Sequence, residues 1–338
     1  MGTLAWGRGH EKDRRGRERD RGGPRAHEGR GRSAETPTDI PKRGWLDILK
    51  RVGKQLKEDR ISIISAGVAF YALLAIFPAL AAMIAIYGLA FDPQQIVQQV
   101  ETLGAMLPQQ AADLVTGQLG DIASTQGSKL GFAAALGIVL ALWSASAGVR
   151  TLMEALNVAY DEEERRGTIR FYATAIVLTL GAIISAIVAI LLIVAMPAVL
   201  EMLGLGSFAE ILINVGKFVL LAVLMILGLA VLYRFGPSRQ QPRWAWVTPG
   251  AILATVLWVI GSALFALYVS QFASYNETYG SLGAVVILLM WFLLTAYAIL
   301  IGAEMNGEVE RQTEKDTTTG EEEPMGRRGA YSADTVAR

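Results

Sequence analysis

Six stretches of this chain are long and apolar enough to cross a membrane: Ile61 to Phe91, Leu130 to Val149, Phe171 to Leu200, Ile211 to Tyr233, Trp244 to Phe272 and Ser281 to Ala303. Five contain no Asp, Glu, Lys or Arg, and the fourth contains only Lys217. At about 1.5 Å of rise per residue, a helix of about 20 residues spans a hydrocarbon core roughly 30 Å thick. Lipid offers no partner to backbone N–H and C=O groups, so runs of this kind become helices. A buried core helix of a soluble protein would account for any one of them. It does not account for six, because with 52% hydrophobic and 18% charged residues in 338 too little polar sequence remains to solvate a globule. The expectation is an all-α integral membrane protein with a six-helix membrane domain over residues 61–306.

Cytoplasmic loops retain Lys and Arg, and exported loops do not. Of the 31 Lys and Arg, 17 precede Ile61, four follow the second span (Arg150, Arg165, Arg166, Arg170), three follow the fourth (Arg234, Arg239, Arg243) and five follow the sixth. Lys129 and Lys217 are the two on the other side. This distribution predicts a multi-pass protein of the bacterial inner membrane with both termini in the cytoplasm. An even number of spans is what such an arrangement requires.

The first 43 residues, including "GRGHEKDRRGRERDRGGPRAHEGRGR", are Gly, Arg and acid with almost nothing apolar to offset ordering entropy. They predict a disordered cytoplasmic tail, as do residues 307–338. An Arg and Gly tract can touch RNA or anionic lipid, but interleaved Glu and Asp favour a solvated tail, and no nucleic-acid partner is expected. The tail lacks an apolar h-region, so the first span is expected to stay as an anchor. Residues 44–60 place Trp45, Ile48 or Leu49, Val52 and Leu56 on one helical face with Lys50, Lys54 and Lys57 elsewhere, the pattern of an interfacial amphipathic helix on the inner leaflet. Pro78 bends the first span, as a hinge or as a bent packing element. In residues 92–128, Ile96, Val97, Val100, Leu103 and Met106, then beyond Pro108 Ala111, Leu114, Val115, Leu119 and Ile122, recur at helical spacing. That predicts an external helical hairpin that covers the bundle mouth, binds an envelope protein or lies on the outer leaflet.

Catalytic chemistry is scarce. The chain has no Cys, and its two His, His10 and His27, fall in the N-terminal tail, so the folded part lacks the residues for a histidine-based zinc site or a serine triad. No glycine-rich piece matches a phosphate loop or a dinucleotide fingerprint. The turn "DEEER" (Asp161 to Arg165) could hold magnesium but reads better as a solvated acidic loop. The expectation is a non-enzyme with no metal and no cofactor, and with membrane lipids as its first partners.

The sixth span carries the candidate site. Tyr279, Gly280 and Gly283 open it, Trp291 lies mid-span, and Glu304 and Asn306 arrive where the apolar run stops. At the boundary the several kcal/mol cost of a Glu in hydrocarbon largely disappears, yet an anion at a helix C-terminus opposes the macrodipole. A basic partner would remove that penalty, and Arg150, Arg170 and Arg234 lie at the same expected level. Glu304 is therefore either a structural clamp or part of a substrate or ion site. Secondary candidates are Trp143, Glu154 and Asn157 of the second span, a looser echo of the same pattern. Lys217, near Asn214, is expected to snorkel to outer headgroups or to face a cavity.

Four segments together carry a resemblance: "GVAFYALLAIFPALAAMIAIYGL" (Gly67 to Leu89), "WSASAGVRTLMEALNVAYDEEERRG" (Trp143 to Gly167), "WVTPGAILATVLWVIGSALFALYV" (Trp246 to Val269) and "YNETYGSLGAVVILLMW" with "LIGAEMN" (Tyr275 to Asn306). Over Trp45 to Arg311 the chain resembles the YihY/BrkB family of bacterial inner-membrane proteins. The resemblance implies six spans, a label of virulence or serum-resistance factor, and an older label, ribonuclease BN, against which the missing histidines argue. Two function classes follow. One is transport or export of a lipid-like or small envelope-related substrate, favoured by two three-span halves of inverted topology and by Ser65, Tyr71, Ser144, Ser146, Thr179, Ser262 and Thr295 within spans. The other is a non-transporting envelope scaffold that holds partners through the hairpin and tails.

Overall fold

The computed structural model describes residues 29–90, 129–203, 207–271 and 281–337. A short 3-10 turn (Pro37–Asp39) leads into α1 (Lys42–Glu58), followed by α2 (Ile61–Ala90), α3 (Lys129–Ala159), α4 (Thr168–Leu203), α5 (Ser207–Phe235), α6 (Trp244–Gln271), α7 (Ser281–Glu310) and a four-residue α8 (Tyr331–Asp334). Helices α2 to α7 supply the six expected membrane spans, each long and apolar enough to cross. The all-α expectation therefore holds. The proposed hairpin over 92–128, and Tyr279 and Gly280, lie outside the described residues.

The six long helices alternate in direction, so the starts of α2, α4 and α6 gather with the ends of α3, α5 and α7 at one end of the bundle. The chain's described terminal segments join them there, and this is called the terminal end below. Its core combines Ile61 and Val68 of α2, Ala155, Leu156 and Ala159 of α3, Ala230 and Tyr233 of α5, Ala251 and Ala254 of α6, and Ala296, Leu300 and Ala303 of α7. Helix α7 is the hub and packs against α1, α2, α3, α6 and α8. Small residues allow the closest approach: a Cβ on Gly250 or on Gly302 would overlap the other's carbonyl oxygen, so α6 and α7 touch backbone to backbone. Away from this end large apolar side chains such as Val139, Val177, Phe218 and Leu264 point outward, as lipid-facing residues must.

The structure departs from the expected boundaries in three places. Helix α7 does not stop at Ala303 but runs to Glu310, because Glu308 and Glu310 are neutralised sideways, as described below. Helix α1 has the expected apolar face, but Ile48 and Val52 of that face are buried against Met305, Val309 and Trp246, with Leu46 and Leu49 exposed. The third departure corrects the expectation of disordered tails, since residues 29–43 and 307–337 fold onto the terminal end. Thr313 and Thr317 are buried, Glu314 N–H donates to Arg32 O, and an isolated bridge pairs Pro242 with Thr318. The Arg328 guanidinium donates to the carbonyls of Glu314, Lys315, Glu323 and Ala333. Low apolar content suggested disorder, but here backbone pairing and one buried Arg supply what side-chain burial does not.

Candidate functional site

The last turns of α7 carry Glu304, Asn306, Glu308 and Glu310, and each is at most 3% exposed. Residues four apart share a helix face, so Asn306 and Glu310 look one way while Glu304 and Glu308 look the other.

On the Asn306 and Glu310 face both side chains are held by partners, although Glu310 Oε1 and Arg239 Nη1 are left without one. Asn306 Oδ1 accepts the Gly250 backbone N–H at 2.7 Å, and Nδ2 donates to the Tyr160 hydroxyl at 3.3 Å. Arg239, from the loop between α5 and α6, donates to Glu310 at 2.5 Å, with both side chains 0% exposed. Thr317 Oγ1 donates to the same carboxylate oxygen at 2.9 Å. The Arg239 guanidinium also lies 4.9 Å from the Tyr160 ring centroid, so α3, α6, α7 and the C-terminal segment are tied into one buried polar network.

On the opposite face, Glu308 bridges two cations. Arg51 Nε of α1 donates to its Oε2, and Arg311 donates to its Oε1 at 2.7 Å. Arg51 also donates to Gln312 Oε1 at 2.7 Å. Among the described residues Glu304 has no such cation. Its carboxyl lies within hydrogen-bonding reach of the Asp59 carboxyl at the junction of α1 and α2, and its Oε1 has no hydrogen-bond partner, nor has Asp59 Oδ2. Asp161, in the loop after α3, and Glu308 add further negative charge nearby. Burial pushes the Asp59 carboxyl up from its ordinary value, against hydrogen bonds from Gln55 and Glu304 that pull it down. Asp161 is exposed as a residue, yet its carboxyl is pushed up to about 6, by desolvation against the surrounding loops first and by Asp59 next.

A second polar knot closes the loops beside this network. Asn157 Oδ1 accepts the Ser238 N–H at 2.7 Å, and Nδ2 donates to Glu164 at 3.0 Å. Arg166 grips Glu164 at 2.7 and 2.6 Å and also donates to the Phe235 and Gly236 carbonyls. Burial works to raise the Glu164 carboxyl, and the Arg166 and Asn157 hydrogen bonds override it and hold it down at about 2.

The candidate partners of Glu304 are elsewhere. Arg150 donates to Ser146 Oγ at 2.5 Å and lies over the Trp143 and Tyr172 rings, which stack at 4.7 Å. Arg234 donates to the Pro242 carbonyl and covers Trp244. Arg170 is exposed, as is Glu154. The expected clamp on Glu304 is thus absent among the described residues, and clamps form one turn on at Glu308 and nearly two turns on at Glu310, with different arginines. Of the rest, Trp291 donates to Ser262 Oγ at 3.3 Å and sits edge-on to Trp258, and Gly283 is half-buried at the opposite end of α7. Pro78 lies within a continuous α2, and Lys217 sits 5.1 Å from the Phe218 ring. None of these meets Glu304. Sequence reasoning missed Arg51, Asp59, Tyr160, Arg239 and Arg311; a carboxylate directly before an uncharged span, as in "KEDRISII", is the one signal that could have drawn attention to Asp59.

A family model described as virulence factor BrkB matches residues 52–326. A ribonuclease-like protein of Bacillus subtilis, YfkH, is 33% identical over 258 residues, covering 73% of this chain and 90% of that protein. A UPF0761 membrane protein of Alteromonas mediterranea is 30% identical over 261 residues, 74% of this chain and 83% of its own. A UPF0761 membrane protein of Albidiferax ferrireducens is 27% identical over 271 residues, 78% of this chain and 62% of its own. No solved structure matches.

Proposed function

The chain belongs to the BrkB virulence-factor family of membrane proteins, and from that premise we propose that it moves a lipid-like or small envelope-related substrate across the bacterial inner membrane. In this reading both termini are cytoplasmic, as the distribution of Lys and Arg favours, and the terminal end of the bundle faces the cytoplasm. No catalytic step is involved.

The observation that carries the reading is Glu304. Glu308 and Glu310 are what structural carboxylates look like in this bundle, each held by at least one Arg. Glu304 is 1% exposed and faces another carboxyl with no Arg or Lys paired to it among the described residues, whereas Glu310, which also leaves one oxygen without a partner, has its charge met by Arg239. An apolar residue of similar size would stabilise that position more, and an ionisable group kept in a membrane bundle at such cost is a working group by default. Its place on the hub helix, beside the turn from α1 into α2, lets a change at one carboxyl reach several helices.

The scaffold reading draws less support. It relies on the external hairpin, which lies outside the described residues, and on free charged tails, whereas much of the C-terminal tail, Thr313 and Thr317 included, is packed against the bundle. The ribonuclease-like name belongs to the Bacillus protein; in this chain both histidines precede residue 29. Mass spectrometry of lipids copurifying with detergent-extracted protein tests the proposal. One lipid class enriched over the host membrane supports it, and a bound pool that mirrors the bulk lipid opposes it.

A further inference from the structure

Two carboxyl groups in hydrogen-bonding contact need a proton between them, because two bare carboxylates offer only acceptors. Asp59 and Glu304 are such a pair. Glu304 is buried and Asp59 is half-buried, and Asp59 Oδ2 and Glu304 Oε1 are buried with no N–H or O–H donor against them. The other charged groups that act on the pair are Glu58 at the end of α1, Asp161 in the loop after α3, Glu308 on α7 and Arg311 just beyond it. Three of these four are acidic. The one cation, Arg311, donates to Glu308 at 2.7 Å and acts on Asp59 within the pair, against the three acids. A proton is the cation that lets two carboxyls meet at hydrogen-bonding distance, since it turns one of them into a donor.

We propose that Asp59 and Glu304 form a proton-binding site in which one proton is shared across the contact between the α1–α2 turn and α7. This rests on the reading of Glu304 as the working group of a transporter and names its coupling ion. With the proton bound, a single hydrogen bond joins the two carboxyls and seats the turn on the hub helix. When the proton leaves, two adjacent carboxylates repel at short range in a poorly solvated place, and the turn is pushed from α7. Asp59 is the more exposed member, so the proton exchanges with water through it. The turn is already unusual, since Arg60 has φ 53, a conformation that L-residues other than Gly, Asn and Asp seldom adopt.

Infrared spectroscopy of the full chain in nanodiscs, titrated from neutral to alkaline pH, tests this without reference to any substrate. The wild type should carry a protonated-carboxyl C=O band at neutral pH that is lost on raising the pH. Glu304→Gln should lack the band while keeping the wild-type helical spectrum and elution profile. Asp59→Asn removes the acidic neighbour, and the band's midpoint should fall by about one unit, a tenfold loss of proton affinity. A band that survives in Glu304→Gln, no band in the wild type, or a midpoint unmoved in Asp59→Asn would overturn the proposal. Each of those results leaves lipid copurification unaffected, so failure of the proton site and failure of the transport reading are separable.

Discussion

Glu304 and Glu310 lie six residues apart on one helix and are both essentially buried, yet their isosteric amides should behave in opposite ways. In Glu310→Gln the Arg239 guanidinium, 0% exposed, loses its counter-charge, and one donor on Arg239 or the Thr317 hydroxyl is left weakly satisfied. Removing one partner of a buried ion pair costs about 3–5 kcal/mol, most of it the stranded charge. At about 2–4 °C per kcal/mol for a domain of this size, the thermal midpoint should fall by roughly 10 °C. In Glu304→Gln no cation is stranded. The new amide can donate to Asp59, the need for a shared proton disappears, and the midpoint at neutral pH should stay within about 2 °C of wild type or rise. The assay is tryptophan fluorescence against temperature on detergent-purified protein, with size-exclusion chromatography to check that each variant is intact. Equal destabilisation by the two substitutions would refute the distinction between clamped and unclamped carboxylates, and would mean that Glu304 has a basic partner after all.

Three more outcomes follow from named contacts. Asn306→Ala strands the Gly250 N–H and the Tyr160 hydroxyl, two buried groups, and should lower stability by about 1–3 kcal/mol for each group left unsatisfied; the same thermal assay reads it. Desolvation and Asp59 raise the Asp161 carboxyl from 3.8 to about 6, so its contribution to stability is complete below the ordinary carboxylate value and is lost as pH rises through about 6. Asp161→Asn keeps a residue that tolerates φ 56 and removes that loss, so it should be more stable than wild type at neutral pH and no more stable in acid. Purified full-length protein should leave transfer-RNA precursors intact with magnesium present, and cleavage that stays with the folded protein through chromatography would contradict a non-enzymatic function.

What was legible in the sequence was whatever depends on runs of one kind of residue. The six spans follow from uncharged length alone, and α2 to α7 occur where those lengths place them. The buried face of α1 was visible in the spacing of Ile48 and Val52. The end of α7 was not, because a charge counts as a stop signal in a hydropathy reading, whereas Glu308 and Glu310 sit inside the helix once Arg51 and Arg239 meet them sideways. Those pairings join residues more than 70 or 250 positions apart, and no local pattern encodes them. Glu304 and Asn306 were recognisable as charge and amide at the end of an apolar run, but the partner of Glu304 was sought among arginines on electrostatic grounds. The structure puts Asp59 there, an acidic partner that a search for opposite charge does not reach. The C-terminal segment misled for a similar reason: its order comes from Arg328 and backbone pairing rather than from apolar content.

The most direct measurement of the central claim is leaflet exchange in vesicles reconstituted with full-length protein, using fluorescent phosphatidylglycerol and an external quencher. Wild-type vesicles should expose inner-leaflet reporter faster than protein-free vesicles. Glu304→Gln, inserted at equal density and equally stable, should fall to the protein-free rate. Exchange that is the same in wild-type, Glu304→Gln and protein-free vesicles, or equally fast in wild type and Glu304→Gln, would contradict the account.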